Sequence, residues 1–355
     1  MLLSIIIPLY NVENYISQCL QSIIDQKLPY EDYEIIIIND GSIDNSYNVA
    51  KKFAENYAHI HLYDQENRGV SATRNKGIDL AKGNYLWFVD SDDYISTNTI
   101  DKLITITYKH ELDIVEFSLV RSQSRSKYLP NKQIDTSSEI TIFNGKEYIS
   151  SKNFNDSSCV YLFKRKFIVE SDIRFFEGKT ICEDMLFNAM IIPHVERIAY
   201  IPADIYRYVI NPNSAWTRRD SKAFRKSIYD LVFIASKYAE ITYKYQDEGF
   251  NITILKSKLQ NVLFNIPKRL LISDLSIYET NKIIKSLSSS NIYPMDIYKG
   301  KDKYRKYLTV LFNMKYIFLT ISSIYVFFKK PIEYLVINRY YKKREKSIEN
   351  LFPNS

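Results

Sequence analysis

Asp90-Ser91-Asp92-Asp93 directly follows the apolar run Tyr85-Leu86-Trp87-Phe88-Val89, which delivers three carboxylates where a buried strand would meet water. Carboxylate oxygens suit hard cations such as Mg²⁺ or Mn²⁺, and these cations usually share their coordination shell with substrate phosphates. The segment therefore reads as a grip on a metal-bound diphosphate, which is what chemistry with a pyrophosphate leaving group requires. The plainer alternative is an acidic turn ahead of a helix that starts after Ser96-Thr97, because Asp and Ser favour turns and helix starts.

The elements needed to position such a cluster lie just upstream. Ser4-Ile5-Ile6-Ile7-Pro8-Leu9 and Glu34-Ile35-Ile36-Ile37-Ile38 are short, nearly continuous apolar runs, the pattern of parallel strands buried on both faces. Between them Tyr15, Ile16, Cys19, Leu20, Ile23 and Ile24 recur at helical spacing, with Gln18, Gln21 and Asp25 on the other side. A second helix carries Val49, Ala50, Phe53 and Ala54, a third strand is Ile60 to Tyr63, and a third helix runs from Gly69 to Ala81. This alternation predicts an α/β domain with right-handed crossovers, whose ligands bind beyond the carboxyl ends of the strands. Tyr10-Asn11, Asn39-Asp40-Gly41-Ser42 and Asp90 to Asp93 all fall at that edge.

Those segments resemble the family 2 glycosyltransferases of the GT-A fold, which move a sugar from a nucleotide diphosphate with inversion. The resemblance is carried by Ile5 to Asn11, Tyr15 to Gln26, Ile38 to Ser42, Asn67 to Gly77 and Gly83 to Asp93, in family order and spacing. It covers the first third of the chain closely, continues weakly to about Trp216, and gives no guidance beyond. It implies a GT-A fold with a mainly parallel sheet, to which the sequence adds a helical C-terminal region. It also implies that Pro8 and Tyr10 line a nucleobase pocket, that Asp40 accepts a hydrogen bond from the base, and that Arg68 lies near base and diphosphate. Asp90 would touch ribose or metal, Asp92 would bind the metal directly, and Asp93 could stand behind them. A carboxylate at Asp40 suits the imide N–H of uracil or thymine and so favours a UDP or dTDP sugar, although Asp40 could equally form a turn with Gly41. Arg68 could be no more than a surface cation. The family's Asp-Asp-Gly-Ser is here Asn39-Asp40-Gly41-Ser42, which keeps the second carboxylate.

Inversion needs a base to take the proton from the attacking hydroxyl, and the resemblance makes Asp184 that base with Glu183 beside it. Without the resemblance, two acidic residues ahead of Met185, Phe187 and Met190 would simply favour a helix dipole. Tyr206 to Trp216 looks like the family's variable loop over the acceptor or diphosphate. Arg207, Ser214 and Trp216 are its candidate contacts, and a Tyr-rich edge strand is the alternative.

Other chemistries lack their residues. No Gly-x-Gly-x-x-Gly follows the first strand, and Gly178-Lys179-Thr180 has Ile173 where a phosphate loop needs its first glycine. His59, His61, His110 and His194 lack metal-site spacing, and Cys19, Cys159 and Cys182 form no disulfide framework, which suits a reducing compartment. With 355 residues, 46% of them hydrophobic, the chain can bury a sizeable core and divide into two or three units. The first strand begins almost at Met1, which leaves no room for a cleaved leader and predicts a cytoplasmic protein.

The basic charge is concentrated near the end. Residues 301 to 346 hold twelve Lys and Arg against Asp302, Glu333 and Glu345, whereas the net charge of the whole chain is +7. Nucleic acid is the obvious partner for such a tail, but Leu308, Phe312, Ile317, Phe318 and Ile324 are interleaved with the lysines. That mixture points to the inner face of an anionic membrane and excludes nucleic acid as the better reading. A helix from Tyr316 to Phe328 would reach only about 20 Å, against roughly 30 Å of hydrocarbon, so docking is favoured over spanning. The expected organisation is a nucleotide-sugar half over residues 1–120, an acceptor half over 121–216 with an exposed connection from Arg121 to Ser138, and a helical region over 217–355 broken at Pro267 and Pro294. The expected activity is metal-dependent, inverting transfer to a growing, lipid-linked surface glycan. The alternative is a catalytically silent carbohydrate-binding or scaffold protein at the membrane.

Overall fold

The computed structural model describes residues 1–122, 134–136, 139–211 and 221–327, with side chains described as far as 324. They form two units, residues 1–217 with 241–255 and residues 218–240 with the chain from 256 onward. The first unit begins with the alternation read from the sequence. Its elements are β1 (Leu3–Leu9), α1 (Ile16–Ile24), β2 (Tyr33–Asp40), α2 (Ser46–Asn56), β3 (Ile60–Gln65), α3 (Val70–Leu80) and β4 (Tyr85–Phe88). It continues with β5 (Tyr94–Ile95), α4 (Ile100–Lys109), β6 (Ile114–Ser122), β7 (Ile142–Phe143), α5 (Gly145–Ser151), β8 (Tyr161–Lys164), α6 (Arg165–Ser171), α7 (Glu183–Ile191) and β9 (Ile198–Val209).

One nine-stranded sheet holds them in the order β3-β2-β1-β4-β8-β6-β9-β5, with β7 also on β9. β1 pairs in parallel with β2 and β4, and β2 with β3. The expectation of a mainly parallel sheet holds for this half. Beyond β4 the sheet is mixed: β8 runs antiparallel to β4 and β6, β9 is parallel to β6, and β5 and β7 are antiparallel to β9. Strands from both sides of residue 120 therefore interleave in a single sheet.

The Ile-rich strands are buried on both faces, as continuous apolar runs require. α1 buries Ile16, Cys19, Leu20, Ile23 and Ile24, the face read from its spacing. α3 packs so closely on β1 that a Cβ added at Gly77 would lie 2.3 Å from Ile6 Cγ2. At the opposite edge from the polar clusters, buried Glu34 accepts from Ser4 Oγ at 2.6 Å and from Lys82 N at 2.7 Å, which ties β1, β2 and the turn before β4 together. α2 carries Val49, Ala50, Phe53 and Ala54 as read, with Ser46 and Ala50 buried and Val49, Phe53 and Ala54 half covered.

The remaining helices are α8 (Ser221–Asp247), α9 (Thr253–Ile272), α10 (Ile277–Ser289), α11 (Lys303–Asn313) and α12 (Lys315–Phe327). Pro294 falls between α10 and α11 as expected, but Pro267 does not break its helix and lies inside α9. A proline loses one backbone bond there, and burial of Leu263, Phe264, Ile266 and Leu270 around it offsets that loss. Among the described residues no single helix is long and apolar enough to cross a membrane.

Candidate active site

At the carboxyl ends of β1 and β2 the chain makes tight polar links. Asn11, with φ at +50°, donates its backbone N–H to Ser42 Oγ at 3.2 Å, and its side-chain oxygen accepts from Ile43 N at 2.9 Å. Pro8 is half-buried and Tyr10 is exposed beside them. Asp40 is buried at the end of β2, and its carboxylate organises the loop before α3. Oδ1 accepts from Arg68 N and Gln65 Nε2, both at 2.8 Å, and Oδ2 accepts from Gly69 N at 2.9 Å. Gly69 sits at φ +87°, which an L side chain rarely adopts. A carboxylate can accept about four hydrogen bonds, so Asp40 keeps one acceptor position on Oδ2. The Asx-type turn with Gly41 is replaced by this longer loop. The Arg68 side chain points to solvent and pairs with Glu177 at 2.9 Å.

The end of β4 carries the three aspartates into different surroundings. Asp90 accepts from Arg74 Nη2 at 2.8 Å, while its own N–H donates to Tyr206 Oη at 3.0 Å. Asp92 accepts from Asn211 Nδ2 at 2.9 Å, and burial followed by the charge of Asp90 pushes its carboxyl up to about 6. Asp93 is buried and accepts from Val209 N at 2.7 Å; burial and then the charges of Asp92 and Asp90 raise it well above the usual carboxylate range. It serves as a peg between this turn and the end of β9. Asp90 and Asp92 thus stand close enough to repel, and among the described residues no cation pairs with Asp92. Among the described residues no three His, Cys, Asp or Glu converge into a metal cage. Two carboxylates without a cage fit a Mg²⁺ or Mn²⁺ ion that draws its other ligands from phosphates and water.

Arg74 is the centre of the arrangement and is not among the residues picked out from sequence. It lies on the buried side of α3 with 4% of its side chain exposed. Nη1 donates to Glu183 Oε1 at 2.9 Å, Nη2 holds Asp90, and the guanidinium lies 5.3 Å from the centre of the Phe175 ring. The acidic turn of β4 is thereby joined to the start of α7, far away in sequence. A charged residue among the buried positions Ser71, Ala72, Asn75 and Ile78 has to find a carboxylate partner, and that requirement is the signal that could have found it.

The two acidic residues of α7 are not equivalent. Glu183 is buried and spent in the ion pair with Arg74. Asp184 has no such pair: Oδ1 accepts from Met185 N at 2.8 Å, and burial and then the charge of Glu183, opposed by Arg74, push its carboxyl up to about 8. A proton-accepting group with its value near neutrality is what general-base chemistry uses.

Of the acceptor-loop candidates, Arg207 is among the described residues and its side chain is buried. Arg207 is 1% exposed and donates from Nε to Ser96 Oγ at 3.1 Å; strand alternation sends its guanidinium into the protein while neighbouring Tyr206 faces Asp90. β9 is not an edge strand, since it pairs with β6 on one side and with β5 and β7 on the other. Ser214 and Trp216 lie outside the described residues.

Residues 4–170 match the family model described as glycosyl transferase family 2. They are a family 2 glycosyltransferase domain. The chain is 34% identical over 219 residues to the uncharacterized glycosyltransferase EpsJ of Bacillus subtilis, covering 60% of this chain and 62% of that protein. It is 30% identical over 218 residues to a poly(ribitol-phosphate) β-glucosyltransferase of Bacillus spizizenii, covering 59% of this chain and 32% of the relative. The similarity thus spans less than two thirds of either relative's length. In fold the chain is similar to residues 1–349 of TarS from Staphylococcus aureus, solved with UDP-GlcNAc, at a TM-score of 0.61 and 19% identity over 92% of this chain and 91% of that one. That likeness extends the GT-A architecture through the mixed half of the sheet. The glycosyltransferase domain as matched ends before Glu183 and Asp184.

Proposed function

We propose that this glycosyltransferase transfers a sugar, with inversion, from a nucleotide diphosphate to a sugar hydroxyl of a growing, lipid-linked surface glycan at the inner face of the membrane. The observation that carries the reading is the Arg74 bridge, which brings the diphosphate-side Asp90 and the base-side Glu183-Asp184 pair to one place. The spare acceptor position on Asp40 supports an imide-bearing base, and the relatedness of fold to a protein solved with UDP-GlcNAc favours a UDP sugar. Pro8 and Tyr10 would flank the base, and Arg68, released from Glu177, would reach the phosphates.

Asp92, with the free oxygen of Asp90, would hold a divalent cation. When bound, that ion would offset charge building on the departing diphosphate. Asp184 takes the acceptor proton as the hydroxyl oxygen bonds to the anomeric carbon, and the bond to phosphate breaks with its electron pair leaving on the nucleotide. Arg74 holds Glu183 so that the negative charge beside Asp184 keeps its carboxyl basic. Holding donor and acceptor in line contributes at least as much as proton transfer. Slow hydrolysis of a UDP-sugar panel with Mn²⁺ tests the reading: one or two donors should yield UDP, and the Asp184→Asn protein should yield almost none. No turnover of any UDP or dTDP sugar, with UDP failing to bind, would overturn it.

A further inference from the structure

In the second unit α11 and α12 meet at Met314 with their axes bent by 105°. The inside of this elbow is well packed. Leu308, Thr309, Phe312, Phe318, Leu319 and Ser322 are buried, and the Phe312 and Phe318 rings meet edge to face 4.8 Å apart. The outside of α12 is different. Tyr316 is 81% exposed, Ile317 47%, Ile321 40% and Ile324 48%, and residues 316 to 324 include no charged side chain. Ile317, Ile321 and Ile324 recur at i, i+4 and i+7 and so make one stripe.

The other exposed residues of the elbow are largely basic and aromatic. Tyr307 and Met314 are exposed on the approach to it, as are Lys303 and Lys306, and Lys315 is half-buried at the helix start. Asp302, the only acidic residue from 301 to 324, is already engaged as the cap of α11 and with Arg305 at 3.9 Å. Arg305 itself stacks 4.7 Å from the centre of the Phe264 ring and bonds Asn261. Among the described residues no carboxylate pairs with Lys303, Lys306 or Lys315, and these lysines share the elbow with an uncharged apolar stripe. A second copy of the chain would bring two such sets of lysines together, because a two-fold contact sets the same patch against itself. An anionic bilayer offers an apolar layer and negative headgroups at once, and tyrosines favour that boundary. At 13 residues α12 is about 20 Å long, too short to span.

We infer that the outer face of the α11–α12 elbow docks on an anionic lipid surface, with Ile317, Ile321 and Ile324 in the boundary between headgroups and acyl chains and Lys303, Lys306 and Lys315 among the lipid phosphates. The inference gives a place to the membrane-bound acceptor of the proposed function, and its purpose rests on that reading, though the binding itself does not.

The test is flotation of the full-length chain with phosphatidylcholine vesicles, with and without phosphatidylglycerol. The protein should float with the anionic vesicles at low salt, release as salt rises, and stay below the neutral ones. Ile317→Ser/Ile321→Ser/Ile324→Ser should lower partitioning by roughly tenfold or more, and Lys303→Glu/Lys306→Glu by a similar factor with a weaker salt dependence. All these residues are solvent-facing, and unchanged UDP binding by each variant would show that it is folded. A polarity-sensitive fluorophore on Ile321→Cys should shift to the blue on adding anionic vesicles, while one on Tyr278→Cys, 76% exposed on α10, should not. Undiminished flotation of the isoleucine variant would overturn the inference, as would equal binding to neutral vesicles or resistance to carbonate washing. A solution dimer abolished by the isoleucine substitutions would overturn it too, by making the stripe a self-contact. Wild-type protein that hydrolyses a UDP sugar but ignores vesicles sinks the docking alone; protein that docks but turns over no donor sinks the proposed function alone.

Discussion

Replacing Arg74 by Met keeps much of the side-chain volume and removes the charge that two carboxylates share. In the native protein the Arg74 side chain is 4% exposed, Glu183 9% and Asp90 32%. Breaking a buried ion pair by deleting one partner costs about 3–5 kcal/mol, because the other charge stays buried and unpaired. Asp90 is a third exposed, so water recovers much of its share, and most of the loss falls on Glu183. The low end, about 3 kcal/mol at pH 7.5, is the expected value. The pH dependence fixes the cause. An unpaired buried Glu183 holds its proton more tightly folded than unfolded, so the deficit of the variant should shrink as pH falls toward 5. Arg74→Lys keeps the charge but cannot fork to both carboxylates, and should fall between. Urea unfolding followed by circular dichroism at pH 5.0 and 7.5 measures all three proteins. A loss under about 1 kcal/mol, or one independent of pH, would refute the view that Arg74 is the electrostatic tie between β4 and α7.

Asp184→Asn should leave UDP affinity near the wild-type value in calorimetry while transfer falls by about 10² to 10⁴. Because Asp184 must be ionised to accept a proton and its carboxyl is pushed up to about 8, kcat/KM of the wild type should rise with pH through that region; a flat profile would remove Asp184 from the role of base. Asp92→Asn should abolish Mn²⁺-stimulated UDP binding. The same change should slightly raise the cation-free thermal midpoint above pH 6, since a carboxyl raised to about 6 costs the folded state stability once ionised. Gly77→Ala should destabilise by about 1–3 kcal/mol in urea, because the new methyl meets Ile6 and the overpacking outweighs the better helix propensity of Ala.

The parallel half of the sheet was legible because β1, β2 and β4 are continuous buried apolar runs and the helix between β1 and β2 carries one clear apolar stripe. Asp40, Asp90 and Asp92 reach the strand ends for the same reason. The short strands of the mixed half were not legible. β8 has four residues and β5 and β7 two each, too few for a period, and their direction is set by pairing across long separations. Arg74 was missed because α3 has a weak apolar pattern, with Ser71, Thr73 and Asn75 among its buried residues, so its packed side does not stand out. The inward orientation of Arg207 was not legible, because tyrosines flank it and the run from Ile205 to Val209 shows no clear apolar alternation. The hydrogen bonds from Arg207 to Ser96 and from Asp90 N–H to Tyr206 settle which way the alternation runs.

The stereochemistry of donor turnover tests the central claim most directly. Proton NMR of the first-formed sugar from an α-linked UDP sugar, with Mn²⁺ present, should show the β anomer for the wild-type protein and no product above background for Asp184→Asn. A first-formed α anomer, or undiminished product from the Asp184→Asn protein, would contradict an inverting transfer driven by Asp184.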